Sequence, residues 1–262
     1  MANFHRIEFE FRSEYKLLRG EINTIVNSSW IKLSNGDLQI DAYLSEPDTA
    51  AQGAMIVIQE IFGVNSHIRS ITERFAQEGY VAIAPAIFQR TAPGFEVGYS
   101  EDDTKLGRSH KDQTTADQLL SDLRTTIAFL QTKGFQEVGA IGFCFGGHVA
   151  YLAATLPEVK ATASFYGAGI ATMTPGGGAP TITRTSEIKG TLYAFFGTQD
   201  PLISIEQIDQ VEAALEANHI DHKVFRYSAG HGFFCDQRSD YHPEAAADAW
   251  EQVKALFSRL TH

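Results

Sequence analysis

The chain has 262 residues, 44% of them hydrophobic, with two cysteines and a formal net charge of −11. That is enough chain for a full α/β core, and the acidic balance argues against nucleic acid or an anionic membrane as a partner. Two cysteines make no disulfide framework, residues 1–19 lack a signal-peptide core, and no run approaches the ~20 apolar residues of a membrane span. The expectation is a cytoplasmic protein with residues 1–30 as an N-terminal extension and residues 31–262 as one domain.

Taken in order, residues 1–29 show no period. Ser34-Asn35-Gly36-Asp37 between two strand-like runs predicts an antiparallel hairpin. The continuous apolar run at residues 54–58 reads as a parallel strand buried on both faces, followed by Gln59-Glu60-Ile61-Phe62-Gly63 and a helix capped by Asn65 with Ile68, Ile71 and Phe75 inward. A strand at 80–84 leads into a long loop over 87–109, in which Glu101-Asp102-Asp103 reads as solvated. A helix from Thr114 carries Leu119, Leu120, Leu123, Ile127 and Leu130 on one face.

The next apolar run, 138–143, ends in Gly142-Phe143-Cys144-Phe145-Gly146-Gly147 and passes straight into a helix. Strand, sharp turn and helix are the context of a nucleophile elbow, here with cysteine in place of serine. The helix N-terminus favours the thiolate, which is the reactive form. A strand at 161–166 and an aperiodic loop over 167–189 follow, then a strand at 191–196 ending at Asp200. Ser204 and Gln207 predict a capping box, a strand at 222–227 delivers Gly230-His231-Gly232, and Pro243 starts the last helix. Strands alternating with helices mean an α/β fold with a mostly parallel sheet flanked by helices and an antiparallel hairpin at its start.

Cys144, Asp200 and His231 each follow a predicted strand, and ligands of open α/β sheets gather at the carboxyl ends of strands. Nucleophile, acid and histidine in that order follow the α/β-hydrolases. Cys144 would attack a carbonyl, His231 would move protons, and Asp200 would orient the imidazole. The backbone N–H groups of Phe145 and Ile61 are the expected oxyanion donors. No cofactor and no resident metal is implied; His219, Asp221 and His222 lack a further ligand and read as surface. His148 reads as a packing or capping residue.

Gln59-Glu60-Ile61-Phe62-Gly63-Val64-Asn65, the Cys144 elbow, the Asp200 turn, Gly230-His231-Gly232-Phe233 and Arg90-Thr91-Ala92-Pro93-Gly94 together resemble the dienelactone hydrolase family over roughly residues 31–260. The resemblance implies an α/β-hydrolase fold and hydrolysis of a small ester or lactone through a cysteine acyl-enzyme. It also implies that Glu60 holds the resting thiol and accepts its proton when substrate arrives. Dienelactone-opening members place a serine just after the histidine and an arginine three residues further on; here those positions are Gly232 and Cys235. Other expected pocket residues are Arg90, Lys105, Arg108 and Tyr166. Two other readings use the same residues: a thiol-based redox protein built on Cys144 and Cys235, and a non-catalytic α/β scaffold.

Overall fold

A computed structural model describes residues 24–260. Its sheet contains β1 (Val26–Asn35), β2 (Leu38–Pro47), β3 (Gly53–Ile58), β4 (Tyr80–Pro85), β5 (Val138–Phe143), β6 (Val159–Phe165), β7 (Thr191–Gly197) and β8 (His222–Tyr227). The strand order is β1-β2-β4-β3-β5-β6-β7-β8. β1 with β2 and β2 with β4 are antiparallel; every other pair is parallel. This is the expected α/β-hydrolase arrangement, and β3, β4 and β5 are buried along their whole length.

Helices cover both faces because strands that are apolar on both sides must be shielded on both. On one face, α1 (Ser66–Gln77) and α6 (Pro243–Phe257) pack Phe75 against Trp250 and Phe257, at centroid distances of 5.1 and 5.6 Å. On the other, α3 (Ala116–Thr132) and α4 (Phe145–Ala153) bury Leu120, Leu123, Ile127, Val149 and Leu152 against Ile56 and Ala140. Each large side chain removed from water stabilises the fold by roughly 1.5–3 kcal/mol. Asn65 caps α1 by accepting from the Ile68 N–H at 3.3 Å, as expected.

Four local expectations are corrected. The first strand begins at Val26, inside the segment assigned to the extension, because its first half is held by the backbone ladder to β2 and carries no apolar stripe. The 87–109 segment contains a helix, α2 (Glu101–Lys111). Glu101, Asp102 and Asp103 form its first turn, where the helix dipole favours acids, and Ser100 with Asp103 completes a capping box. The 167–189 segment contains a 3-10 helix over Thr181–Glu187. At α5 (Ile205–Ala217), Ser204 accepts from the Gln207 N–H, whereas the return bond of a capping box is absent among the described residues.

Candidate active site

The elbow after β5 is strained where chemistry would need it. Cys144 has φ 54° and ψ −118°, a region that costs a non-glycine residue about 1–3 kcal/mol and persists only when its surroundings impose it. The imposition is visible. The Cys144 N–H donates to the Phe165 carbonyl at 3.0 Å. A Cβ on Gly142 would lie 1.9 Å from the Gly146 carbonyl oxygen, and one on Gly146 would lie 2.3 Å from that of Gln59. The turn therefore closes only with bare backbone at both positions, which sets the thiol at the N-terminus of α4.

Asp200 and His231 leave the ends of β7 and β8 and meet at 2.6 Å, Oδ2 to Nδ1. The other carboxylate oxygen of Asp200 accepts from the Leu202 N–H at 2.7 Å, which fixes its orientation. Burial disfavours a charged His231, yet the neighbouring Cys144 and the bond to Asp200 outweigh it, and the imidazole is pushed up to about 10. Its Nε2 is buried, and Cys144 neighbours the ring. Tyr166, at φ 36°, stands edge-on to the imidazole at 5.1 Å. The Tyr166 hydroxyl is fully buried, has no partner, and is held protonated by burial.

The loop after β3 forms the opposite wall. Glu60 is wholly buried, and its Oε1 accepts from Arg238 at 3.1 Å while its Oε2 has no partner. No hydrogen bond joins Glu60 to Cys144. Among the described residues, the Ile61 and Phe145 N–H groups donate no hydrogen bond, so both remain available to a ligand. Helix α2 braces this loop: a Cβ on Gly107 would sit 2.2 Å from the Ile61 carbonyl oxygen.

The other sequence-derived residues divide cleanly. Tyr166 and Cys235 reach the site. Arg90 does not; it pairs with the buried Asp122, which Asn35 also holds, under the opposite layer. Lys105 pairs with Asp102 on the exposed side of α2, and Arg108 is also exposed there, because Gly107 is the residue of α2 that faces inward. These three cations are spent on local structure or left in solvent. His148 links Ala168 and Thr181 inside the fold, at 2.9 and 2.6 Å.

Sequence reasoning missed three residues. Arg238 is the cation of the site, lying 5.8 Å from the ring centroids of Phe62 and Tyr99. It fills the room that a side chain at Gly232 would need, where a Cβ would be 2.7 Å from its Nε. Tyr99 takes a hydrogen bond from Asn65 at 3.0 Å and one from the Cys235 thiol at 3.3 Å. His67, in the first turn of α1, is buried with Nε2 unpartnered, and burial lowers its basicity. The usable signal was that Arg238 is the only Lys or Arg between Arg226 and Lys254. A groove of about 510 Å³ opens beside Tyr99, lined also by Asn65, Glu96 and Gln237.

Comparison with known proteins agrees with this arrangement. The family model described as "Dienelactone hydrolase family" matches residues 40–261. A Synechocystis protein described as "Putative carboxymethylenebutenolidase" is 57% identical over 237 residues, covering 88% of this chain and 96% of its own. An Escherichia coli K12 protein with the same description is 30% identical over 232 residues, covering 86% of this chain and 84% of its own. The solved structure of a Klebsiella pneumoniae protein assigned to dienelactone hydrolase superposes with a TM-score of 0.81 at 28% identity, covering 89% of this chain and 99% of its own. A Pyrococcus furiosus esterase, at 14% identity and a TM-score of 0.67, shares the fold. The elbow, the sheet order and these matches agree, and the chain is a hydrolase belonging to the dienelactone hydrolase family.

Proposed function

We propose that this protein hydrolyses small esters or lactones through a Cys144 acyl-enzyme, in the manner of a carboxymethylenebutenolidase. The observation that carries the reading is His231, held by Asp200 at 2.6 Å on Nδ1 and raised in basicity by the neighbouring Cys144. The Cys144 sulfur attacks the carbonyl carbon, and the N–H groups of Phe145 and Ile61 receive the oxyanion. The tetrahedral intermediate collapses to a thioester as His231 gives its proton to the departing oxygen. Acylation removes the charge on Cys144, one of the influences that keeps His231 protonated. The imidazole then takes a proton from water, which attacks the thioester and frees the acid and the thiol.

Arg238 points to substrates that carry a carboxylate. It is a half-buried positive charge in a chain that is otherwise strongly acidic, and a carboxylate can engage it in bidentate fashion. Such a ligand competes with Glu60 for the guanidinium. A released Glu60 is then free to take the proton of the Cys144 thiol, the role the family resemblance implies. Tyr166 offers a further hydroxyl to the bound ligand. Two free thiols at the site suit a reducing compartment such as the cytoplasm. No helix among the described residues is long and apolar enough to cross a membrane.

The test is turnover of p-nitrophenyl acetate and of a panel of neutral and carboxylate-bearing lactones. Cys144→Ala is expected to abolish it, and an acylated Cys144 peptide should be trapped by mass spectrometry in the wild type. Full turnover by Cys144→Ala would overturn the mechanism.

A further inference from the structure

We propose that Glu60, His67 and Cys235 form a binding site for a thiophilic divalent cation of the Zn²⁺ type, and that filling it switches the hydrolase off. The second half rests on the function proposed above; the first does not.

One ligand atom from each residue, a carboxylate oxygen, a ring nitrogen and the thiol sulfur, lies within 4.8 Å of the other two. The three residues come from three parts of the fold: the loop after β3, the first turn of α1, and the loop beyond His231. All are buried. Tetrahedral zinc holds such donors about 3.5 Å apart, so side-chain movements of about 1 Å would complete the shell. Oxygen, nitrogen and sulfur together favour zinc or cobalt over magnesium or calcium, which take oxygen alone.

A second observation points to a ligand. Glu60 Oε2 and His67 Nε2 are buried polar atoms with no partner among the described residues. An unpaired buried polar atom costs on the order of 1–3 kcal/mol, and native structures keep few of them. Glu60, the buried acid, has one oxygen tied to Arg238 and one to spare.

The outer contacts suit the same purpose. Arg238 orients the carboxylate through Oε1, and the Tyr99 hydroxyl touches the sulfur at 3.3 Å. Outer partners of this kind hold metal ligands in place. On binding, the Cys235 S–H bond is replaced by an S–metal bond and the proton leaves to solvent. Tyr99 then turns its hydroxyl hydrogen toward the thiolate, and a water takes the fourth position. The groove opens beside Tyr99, whose hydroxyl touches the Cys235 sulfur. A coordinated Glu60 no longer accepts the Cys144 proton, so turnover stops.

The experiment uses Co²⁺ as a spectroscopic probe on the Cys144→Ala protein, in which Cys235 is the remaining cysteine. One Co²⁺ per chain and a near-ultraviolet thiolate charge-transfer band are expected, both reversed by Zn²⁺. Adding Cys235→Ser should remove the band, and adding His67→Gln should weaken binding at least tenfold. Should one variant fail to fold, by circular dichroism, the other gives an independent reading. No binding to folded Cys144→Ala, or binding indifferent to both changes, overturns the site.

The regulatory half is read from Zn²⁺ inhibition of ester hydrolysis. His67→Gln should need at least tenfold more Zn²⁺ than the wild type. Equal inhibition would mean capture by Cys144 and would overturn the switch. A wild type without hydrolysis would sink the proposed function, while the cobalt titration would still decide the site.

Discussion

Arg238 reaches back 178 positions to Glu60 and closes the rim of the site with a 3.1 Å hydrogen bond. The Glu60 side chain is wholly buried and the Arg238 side chain is 17% exposed, so the carboxylate has no water to replace its cation. A buried pair contributes little net stability, but removing one partner strands the other.

Arg238→Gln is therefore expected to cost about 3–5 kcal/mol in urea unfolding. On the folded fraction, KM for a carboxylate-bearing lactone should rise at least tenfold, with little change for a neutral acetate ester. A uniform loss across both substrates would show that the guanidinium acts through the fold and not on the ligand.

The pH behaviour of His231 follows from the groups that face it: Cys144 on the elbow, Asp200 after β7, and Tyr166 after β6. The imidazole is pushed up to about 10 because Cys144 and the Asp200 bond overcome burial. The proposed acylation, in which His231 gives up its proton, should fall off as pH rises through about 10. The same group adds stability fully below its ordinary value near 6.5 and loses it as pH climbs toward 10. Cys144→Ala removes the larger raising influence, so NMR titration should find the His231 midpoint well below 10. An unchanged midpoint would contradict this account.

Asp200→Asn tests the proposed orienting role of the acid. Asparagine can still accept from the Leu202 N–H, but if its amide faces His231 it obliges Nδ1 to accept and places the ring proton on Nε2. That tautomer cannot take a proton. The expected loss in kcat is on the order of 10⁴-fold with KM little changed, the scale seen for the same change in a serine triad.

Strand ends carry local signals, which is why Cys144, Asp200 and His231 were legible in the sequence. An apolar run followed by a tight glycine turn is readable without knowing what packs above it. Helix α2 was not legible, because Gly107 is its buried residue and an apolar stripe never forms. Arg238 escaped because the family pattern places an arginine at position 235, whereas this chain sets its cation further along the loop, over Gly232. His67 escaped for a similar reason: one polar residue beside Ile68 gives no hint that it turns inward toward Glu60. Those facts depend on which loops meet.

Gly146→Ala should be worse than an ordinary glycine-to-alanine change in a helix. The new methyl would stand 2.3 Å from the Gln59 carbonyl oxygen and 2.4 Å from that of Ile58, both backbone atoms that cannot rotate away. Relief requires α4 to lift from β3, which moves the Phe145 N–H from its proposed oxyanion position. A destabilisation of about 3 kcal/mol or more is expected, with kcat falling further than stability alone explains. Retention of wild-type kcat would detach Phe145 from the oxyanion role.

His148 gives the last prediction, and it concerns stability. Its ring bridges the Ala168 carbonyl and the Thr181 hydroxyl, tying the elbow helix to the 167–190 segment. Burial dominates and lowers its pKa from 6.5 to about 4, so the folded protein holds the ring neutral. The unfolded chain binds a proton near 6.5 and the folded chain does not until about 4, so stability is full above 6.5 and is lost as pH falls through that interval. At about 1.4 kcal/mol per unit, the loss by pH 4 is roughly 3 kcal/mol. Urea unfolding of the wild type and of His148→Gln at pH 7 and pH 5 checks this. The variant should start less stable and lose less on acidification; parallel slopes would remove His148 as the cause.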